Sequence, residues 1–314
     1  MKDLDVVGIG SMVVDLIHRA HRFVGPDDKV LLVPFADGSA VEQIVGGVTL
    51  NHLAWARCLG LRAGLFGRQA ADDHGRFIRT QAAELGLQLD IRLDGRASSF
   101  SLVFVAMDGA RGIYMAPGAT ADTLPHHLVC HLPLLRRAHM VSTEVSQLPL
   151  ATVIAVLEAG RAAGATTLLD VDLPPHEAVP TLGTYAELEH AISLADVLKP
   201  TAAAARALAG EGPLADVARR LWRGRRLVGI TDGAKGSVVC DGPEVVEAPA
   251  FRVPVVDTTG AGDAWFGGLI AGLSRGLPLR QLARLANACG ATCVEAYGAV
   301  PGPGAAARVA ELLG

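Results

Sequence analysis

Short runs of consecutive apolar residues alternate along this chain with longer Ala- and Leu-rich stretches in which apolar positions recur every three to four residues. The short runs predict buried strands at 6–9, 63–66, 138–142, 166–171, 196–198, 227–231 and 237–240. The longer stretches predict helices at 51–59, 74–85, 148–163, 201–208, 214–222, 262–274, 279–296 and 304–313. Strand and helix taking turns is the pattern of a parallel sheet with helices on both faces, so the expected fold class is α/β, doubly wound and Rossmann-like. Two stretches break the rhythm: 12–45 and 98–114 lack a helical period and show extended, partly alternating apolar character (Phe100, Leu102, Phe104, Ala106). They are expected to be inserted strands that form a small β-sheet lid over the carboxyl edge of the main sheet, where open α/β sheets bind ligands. No repeat or linker divides the chain, which is read as one domain over 1–314.

Composition narrows this picture by exclusion. Half of the 314 residues are hydrophobic, which rules out disorder, and no apolar run reaches the ~18 residues of a membrane-spanning helix. The net charge of −4 supplies no basic field, so neither nucleic acid nor a membrane surface is an expected partner. The start, Met1-Lys2-Asp3-Leu4-Asp5, lacks the apolar stretch and cleavage site of a secretory signal, and a cytoplasmic location is expected. Five scattered cysteines without a Cys-x-x-Cys pair predict reduced, mostly buried thiols rather than a disulfide framework or a zinc site. His126, His127, Cys130 and His131 cluster, but without a fourth partner at ligand spacing they are read as a surface helix end.

The chemistry concentrates in Asp257-Thr258-Thr259-Gly260-Ala261-Gly262-Asp263-Ala264, which leads into a helix rich in small residues. Glycines at 260 and 262 let the backbone turn its amides toward one point, and a helix starting there adds its positive dipole end. An aspartate beside a phosphate is costly unless it takes the proton of an attacking hydroxyl, which gives Asp263 the part of a base in phosphoryl transfer. A second glycine loop, Thr231-Asp232-Gly233-Ala234-Lys235-Gly236-Ser237, lies between two strands and becomes a nucleotide loop only in company with the first. None of the four lysines completes a Gly-x-x-x-x-Gly-Lys-Ser/Thr loop, and Gly8-x-Gly10 has Val13 where a dinucleotide fingerprint needs its third glycine.

At these residues the chain resembles the ribokinase, or PfkB, family of carbohydrate and nucleoside kinases. Asp257 to Ala264 matches the family's carboxyl signature, and Gly46-Gly47-Val48-Thr49-Leu50-Asn51 matches its amino signature, a glycine pair followed by Asn on a helix. Gly67 to Gly75 and Gly8 to Asp15 are similar to two further turns of that family. The resemblance implies a ribokinase-type fold, ATP with Mg2+ as cosubstrate, and transfer of a phosphoryl group to a hydroxyl of a small sugar. It implies that Asp15, Gly46, Gly47, Asn51 and Glu144 face the substrate, and that Thr231, Gly233, Gly236 and Asn287 face the nucleotide. Gly260, Ala261 and Gly262 would form the anion hole beside Asp263. Asp257 with Thr259, Cys293 and Gly298 would hold a monovalent cation such as K+.

The chain also departs from the family. Where relatives carry Asn-x-x-Glu for magnesium and phosphates, it has Thr201 and Ala204, so another carboxylate holds the metal or turnover is slowed. Pro174 stands where relatives acting on acidic sugars have an arginine, which favours a neutral sugar or nucleoside, although Arg111 in the lid offers a substitute. A nucleoside kinase, with Phe35 or Phe100 against the base, and a non-catalytic sugar or nucleotide sensor are the alternative readings. The exposed edges expected of a small lid sheet predict a homodimer.

Overall fold

The strand that opens the chain, Leu4–Gly8, lies inside the main sheet, parallel to Ala138–Val145 on one side and to Ala63–Arg68 on the other. In this computed structural model, which describes residues 2–107 and 111–314, the sheet has nine strands. Their order is Val245–Ala248, Ser237–Cys240, Leu227–Thr231, Val197–Pro200, Thr166–Val171, Ala138–Val145, Leu4–Gly8, Ala63–Arg68 and Gln88–Arg92. All neighbours are parallel except the last-formed hairpin, in which Ser237–Cys240 runs antiparallel to both of its neighbours. Strand order reverses between Leu4–Gly8 and Ala138–Val145, and the segments leaving those two carboxyl ends diverge to leave a crevice.

Successive side chains of a strand face opposite ways, and the core follows that parity. Val6, Leu168 and Val197 pack with Trp55, Phe266 and Leu269 on one face; Val7, Leu169 and Leu198 pack with Val156, Leu157 and Val217 on the other. The helix Val48–Cys58 crosses Ala261–Ser274 closely at Gly267. A Cβ on Gly267 would stand 2.7 Å from the carbonyl oxygen of His52 and collide with Trp55.

A separate four-stranded sheet has the order Glu42–Gly46, Val13–Ala20, Phe100–Ala106, Arg111–Ala116. Both stretches that broke the helical rhythm contribute two strands to it. The expected helices and central strands fall within a few residues of their places, with the penultimate helix ending at Cys293 rather than 296. The edge strands Gln88–Arg92 and Val245–Ala248 and the helices Pro175–Leu182 and Tyr185–Leu194 were not expected. The strands are partly exposed and mixed in character, and the first helix contains Pro180, so neither period is clean. All five cysteines are free, three of them buried. The histidine cluster forms a 3-10 turn, Pro125–His131, but His131 is buried and its Nδ1 lies 2.9 Å from Asp90 Oδ2, so this end of the turn is not a surface. Among the described residues no three His, Cys, Asp or Glu side chains are grouped to hold a metal, and no helix is long and apolar enough to cross a membrane.

Candidate active site

A cavity of about 1030 Å³ opens at the carboxyl edge of the main sheet and is walled on one side by the small sheet through Val13, Asp15, Ser101, Ile113 and Met115. Its floor is the start of the helix Ala261–Ser274. Gly260 caps that helix at φ +73°, a left-handed conformation that glycine adopts without strain, and a side chain there would collide with Ala299. Gly260, Ala261, Gly262 and Asp263 all line the cavity, so the positive dipole end of the helix faces the space where an anion would lie, with the N–H of Ala261 also reaching the Thr258 carbonyl at 3.4 Å.

Asp263 is almost wholly buried in that floor. Burial pushes its carboxyl well above the usual range, and Asp170 and Asp172 add to the shift, while Lys199 and a hydrogen bond from Asn51 oppose it. Asn51 Nδ2 donates to Asp263 Oδ2 at 2.7 Å, and the amide oxygen of Asn51 has no partner among the described residues. Asn51 is in reach because Gly47, at φ +109° and packed against the Ser11 carbonyl, starts the helix Val48–Cys58 at the cavity wall.

Lys199 is a functional candidate that the sequence reading did not single out. Its ammonium is buried, bonded to both carboxylate oxygens of Asp170 at 2.9 Å, and only 3.2 Å from where a Cβ on Gly262 would stand. Burial opposes its charge, but Asp170 and Asp263 outweigh that and hold the ammonium above its ordinary value. A fixed positive charge thus adjoins the glycine loop. Gln147 and Asp172 also line the cavity, and the Oε1 of Gln147 is buried with no partner among the described residues. Lys199 and Gln147 belong to no motif, so only pairing register could have exposed them; Asp172 lies in the strand end Asp170-Val171-Asp172-Leu173-Pro174, whose resemblance to relatives acting on acidic sugars was read only through Pro174.

The remaining expected residues divide. Asp15 lines the cavity, and Gly46 lies beneath it, since a Cβ there would collide with the Asp15 carboxylate. Glu144 does not face the cavity. It is wholly buried and accepts from the backbone N–H of Ser11 and Thr49 (both 2.8 Å), and from their hydroxyls at 3.0 and 2.7 Å. Its strand parity turns it inward, where it ties the first strand's exit loop to the helix Val48–Cys58. Desolvation raises its pKa against those four bonds.

At the far end Thr231, Gly233 and Gly236 line the cavity opposite Pro249, Ala250 and Phe251. Asn287 lines it too, but its side chain is committed: Oδ1 accepts from Ser237 Oγ (2.6 Å) and Trp265 Nε1 (2.8 Å), and Nδ2 donates to the carbonyls of Ala248 and Pro249. It shapes the wall. Phe35 and Phe100 are not in the cavity; Arg19 lies over the Phe35 ring and Phe100 packs on His74. The Arg111 side chain lies outside the described residues. Thr201 lines the cavity, but its hydroxyl accepts the N–H of Ala204 as a helix cap, and Ala204 is buried.

Beside the anion floor, Asp257 accepts from the N–H (2.9 Å) and hydroxyl (2.7 Å) of Thr259 and from the N–H of Gly298 (3.1 Å). The carbonyl oxygens of Thr259, Gly298 and Ala299 lie 3.4, 3.8 and 3.9 Å from the Cys293 thiol. The four residues expected for a monovalent cation are therefore brought together, and converging carbonyls are a donor set that suits such an ion.

A family model described as the pfkB family carbohydrate kinase matches residues 3–303 of the chain. An aminoimidazole riboside kinase of Salmonella typhimurium is 32% identical over 293 residues, spanning 87% of this chain and 89% of that one. Fructokinase-2 of Oryza sativa subsp. japonica is 27% identical over 327 residues, 98% of this chain and 93% of that one. Among solved structures, an Arabidopsis thaliana ribokinase complexed with ribose and ATP superposes with a TM-score of 0.81 at 21% identity, over 100% of this chain and 99% of its own.

Proposed function

This chain belongs to the pfkB family of carbohydrate kinases and has its ribokinase-type fold, and from that premise we propose that it moves the γ-phosphoryl group of ATP to a hydroxyl of a small, neutral, sugar-like substrate with Asp263 as base. As a member of that family it is a phosphotransferase with an alcohol acceptor. The single observation that carries the finer reading is the placing of an almost buried carboxylate at the mouth of a glycine-capped helix, within one cavity that also holds Asn51 and Asp15.

The acceptor hydroxyl lies between Asp263 and the phosphoryl group, oriented by Asp15 and Asn51. As its oxygen bonds to the γ-phosphorus, the bond from that phosphorus to the β–γ bridging oxygen breaks and ADP leaves; the hydroxyl proton passes to Asp263. The amides of Gly260 to Asp263 and the ammonium of Lys199 meet the charge on the transferring oxygens. The raised pKa of Asp263 gives it affinity for that proton. Magnesium bound with ATP would neutralise part of the phosphate charge, and an alkali cation at the carbonyls of Thr259, Gly298 and Ala299 would stabilise the loop that presents the amides. The small sheet serves as a lid that excludes water as a competing acceptor. Its exposed Tyr114, on a strand with one edge unpaired among the described residues, favours a homodimer through that sheet.

ADP release from ATP and magnesium across neutral sugars, sugar acids, polyols and nucleosides tests the proposal. A signal confined to neutral sugars supports it; a signal confined to nucleosides supports the nucleoside kinase alternative, and silence across a panel whose members stabilise the fold thermally supports a sensor instead.

A further inference from the structure

The family's magnesium-holding glutamate has no counterpart at 204, where the alanine is wholly buried, and the hydroxyl of Thr201 is engaged as a helix cap. The neighbouring strand places a carboxylate beside that gap. Thr166–Val171 pairs with Val197–Pro200 in the register Lys199 to Asp170 and Pro200 to Val171, so the next step brings Asp172 beside Thr201. Both line the cavity.

Asp172 differs from the other carboxylates gathered here. Asp170 is bound to Lys199, Asp263 receives Asn51, and Glu144 receives Ser11 and Thr49, whereas among the described residues Asp172 takes neither a hydrogen bond nor an ion pair. Its charge reaches Asp263, Asp170 and Lys199, so it lies close to the site of transfer. Asp170, Asp172 and Asp263 face one ammonium before any phosphate arrives, and a triphosphate adds further negative charge that Lys199, already bound, does not balance. Magnesium keeps most of its waters and is held in nucleotide sites by one or two carboxylates together with the phosphates, rather than by an all-protein cage. A half-buried carboxylate that lines the cavity is a fitting donor for that mode.

We propose that Asp172 is the residue through which this chain holds the divalent cation of its nucleotide, directly or through one water, in place of the glutamate missing at 204. The assignment rests on the kinase reading above. The carboxylate has moved one strand across the sheet rather than disappeared, and the metal-holding function is retained.

Mn2+ affinity of the full chain in the presence of ADP, read by the loss of the free Mn2+ paramagnetic resonance signal, tests this without turnover. Asp172→Asn should weaken Mn2+ binding at least tenfold while leaving ADP affinity in EDTA within about twofold of the unaltered chain. Glu177→Gln, which removes an exposed carboxylate five residues along the chain and outside the cavity, should leave Mn2+ affinity within about twofold. Unchanged Mn2+ affinity in an Asp172→Asn chain that still binds ADP overturns the assignment alone, as does an equal loss with Glu177→Gln. Failure of the unaltered chain to bind ADP with or without Mn2+ overturns the kinase reading and this assignment with it.

Discussion

Asn51 and Asp263 stand 212 residues apart in sequence and 2.7 Å apart in space, joined by a hydrogen bond between the two helices that meet at Gly267. That bond couples the segment that would orient the acceptor to the carboxylate that would deprotonate it. Its length depends on a helix crossing that admits no side chain. Gly267→Ala is expected to force the helices apart, costing about 2–4 kcal/mol of stability by overpacking and lowering turnover at least tenfold. Thermal melts and steady-state kinetics on the same protein check this; a variant that loses stability but keeps full turnover would show that the crossing does not set the site.

Glu144 has a structural task rather than a substrate-facing one. Four donors converge on its carboxylate, and an amide in its place would present N–H groups to them. Glu144→Gln should lose about 2–4 kcal/mol through unsatisfied buried groups, measured by denaturant unfolding, whereas Asp15→Asn, at the cavity wall, should change stability by less than about 1 kcal/mol and weaken substrate binding. Equal losses of stability in both would contradict the division.

The pH dependence of stability contains two opposed contributions. Burial pushes the His52 imidazole down to about 3 from 6.5, with Lys199 adding to the effect. Between those values the unfolded chain binds a proton that the folded chain does not, so stability falls with decreasing pH by up to ~1.4 kcal/mol per unit. His52→Gln should flatten the unfolding free energy between pH 6 and pH 4 by nearly one proton; an unaltered slope would contradict a neutral, buried His52.

Asp263 acts in the other direction. Its raised pKa means that the folded chain binds the proton more tightly than the unfolded chain does, so the cost of the buried charge is fully present above the raised value and is relieved as pH falls toward 3.8. Asp263→Asn is therefore expected to raise the melting temperature by a few degrees at pH 8 and by little near pH 4. A uniform effect at both pH values would show that the carboxylate is not strained by burial.

What the sequence revealed follows from how each residue is placed. The glycine loop and Asp263 are contiguous, so local chemistry exposed them, and Asn51 came with a second contiguous signature. Lys199 and Gln147 were hidden because each ends or follows an apolar strand that reads as ordinary core, whereas Asp172 stood in a strand-end motif read only for its missing arginine at Pro174; the pairing of Lys199 with Asp170 brings that strand end to the site. Glu144 was visible as a polar residue in an apolar strand, but whether it faces the cavity or the helix behind it is decided by strand parity and by the packing of Ser11 and Thr49. Phe35 and Phe100 had the right chemistry for an aromatic slot but do not reach the cavity: Phe35 lies outside the strands of the small sheet, and the direction of Phe100 is set by that sheet's pairing.

The most direct test compares the unaltered chain with Asp263→Asn, measuring the rate of phosphoryl transfer to the best acceptor and the affinity for that acceptor by calorimetry. The account predicts a loss of turnover of a thousandfold or more, with acceptor affinity changed by less than about threefold, because the variant keeps the bond to Asn51 and loses only the proton acceptor. Turnover within tenfold of the unaltered chain would contradict it and place the base elsewhere.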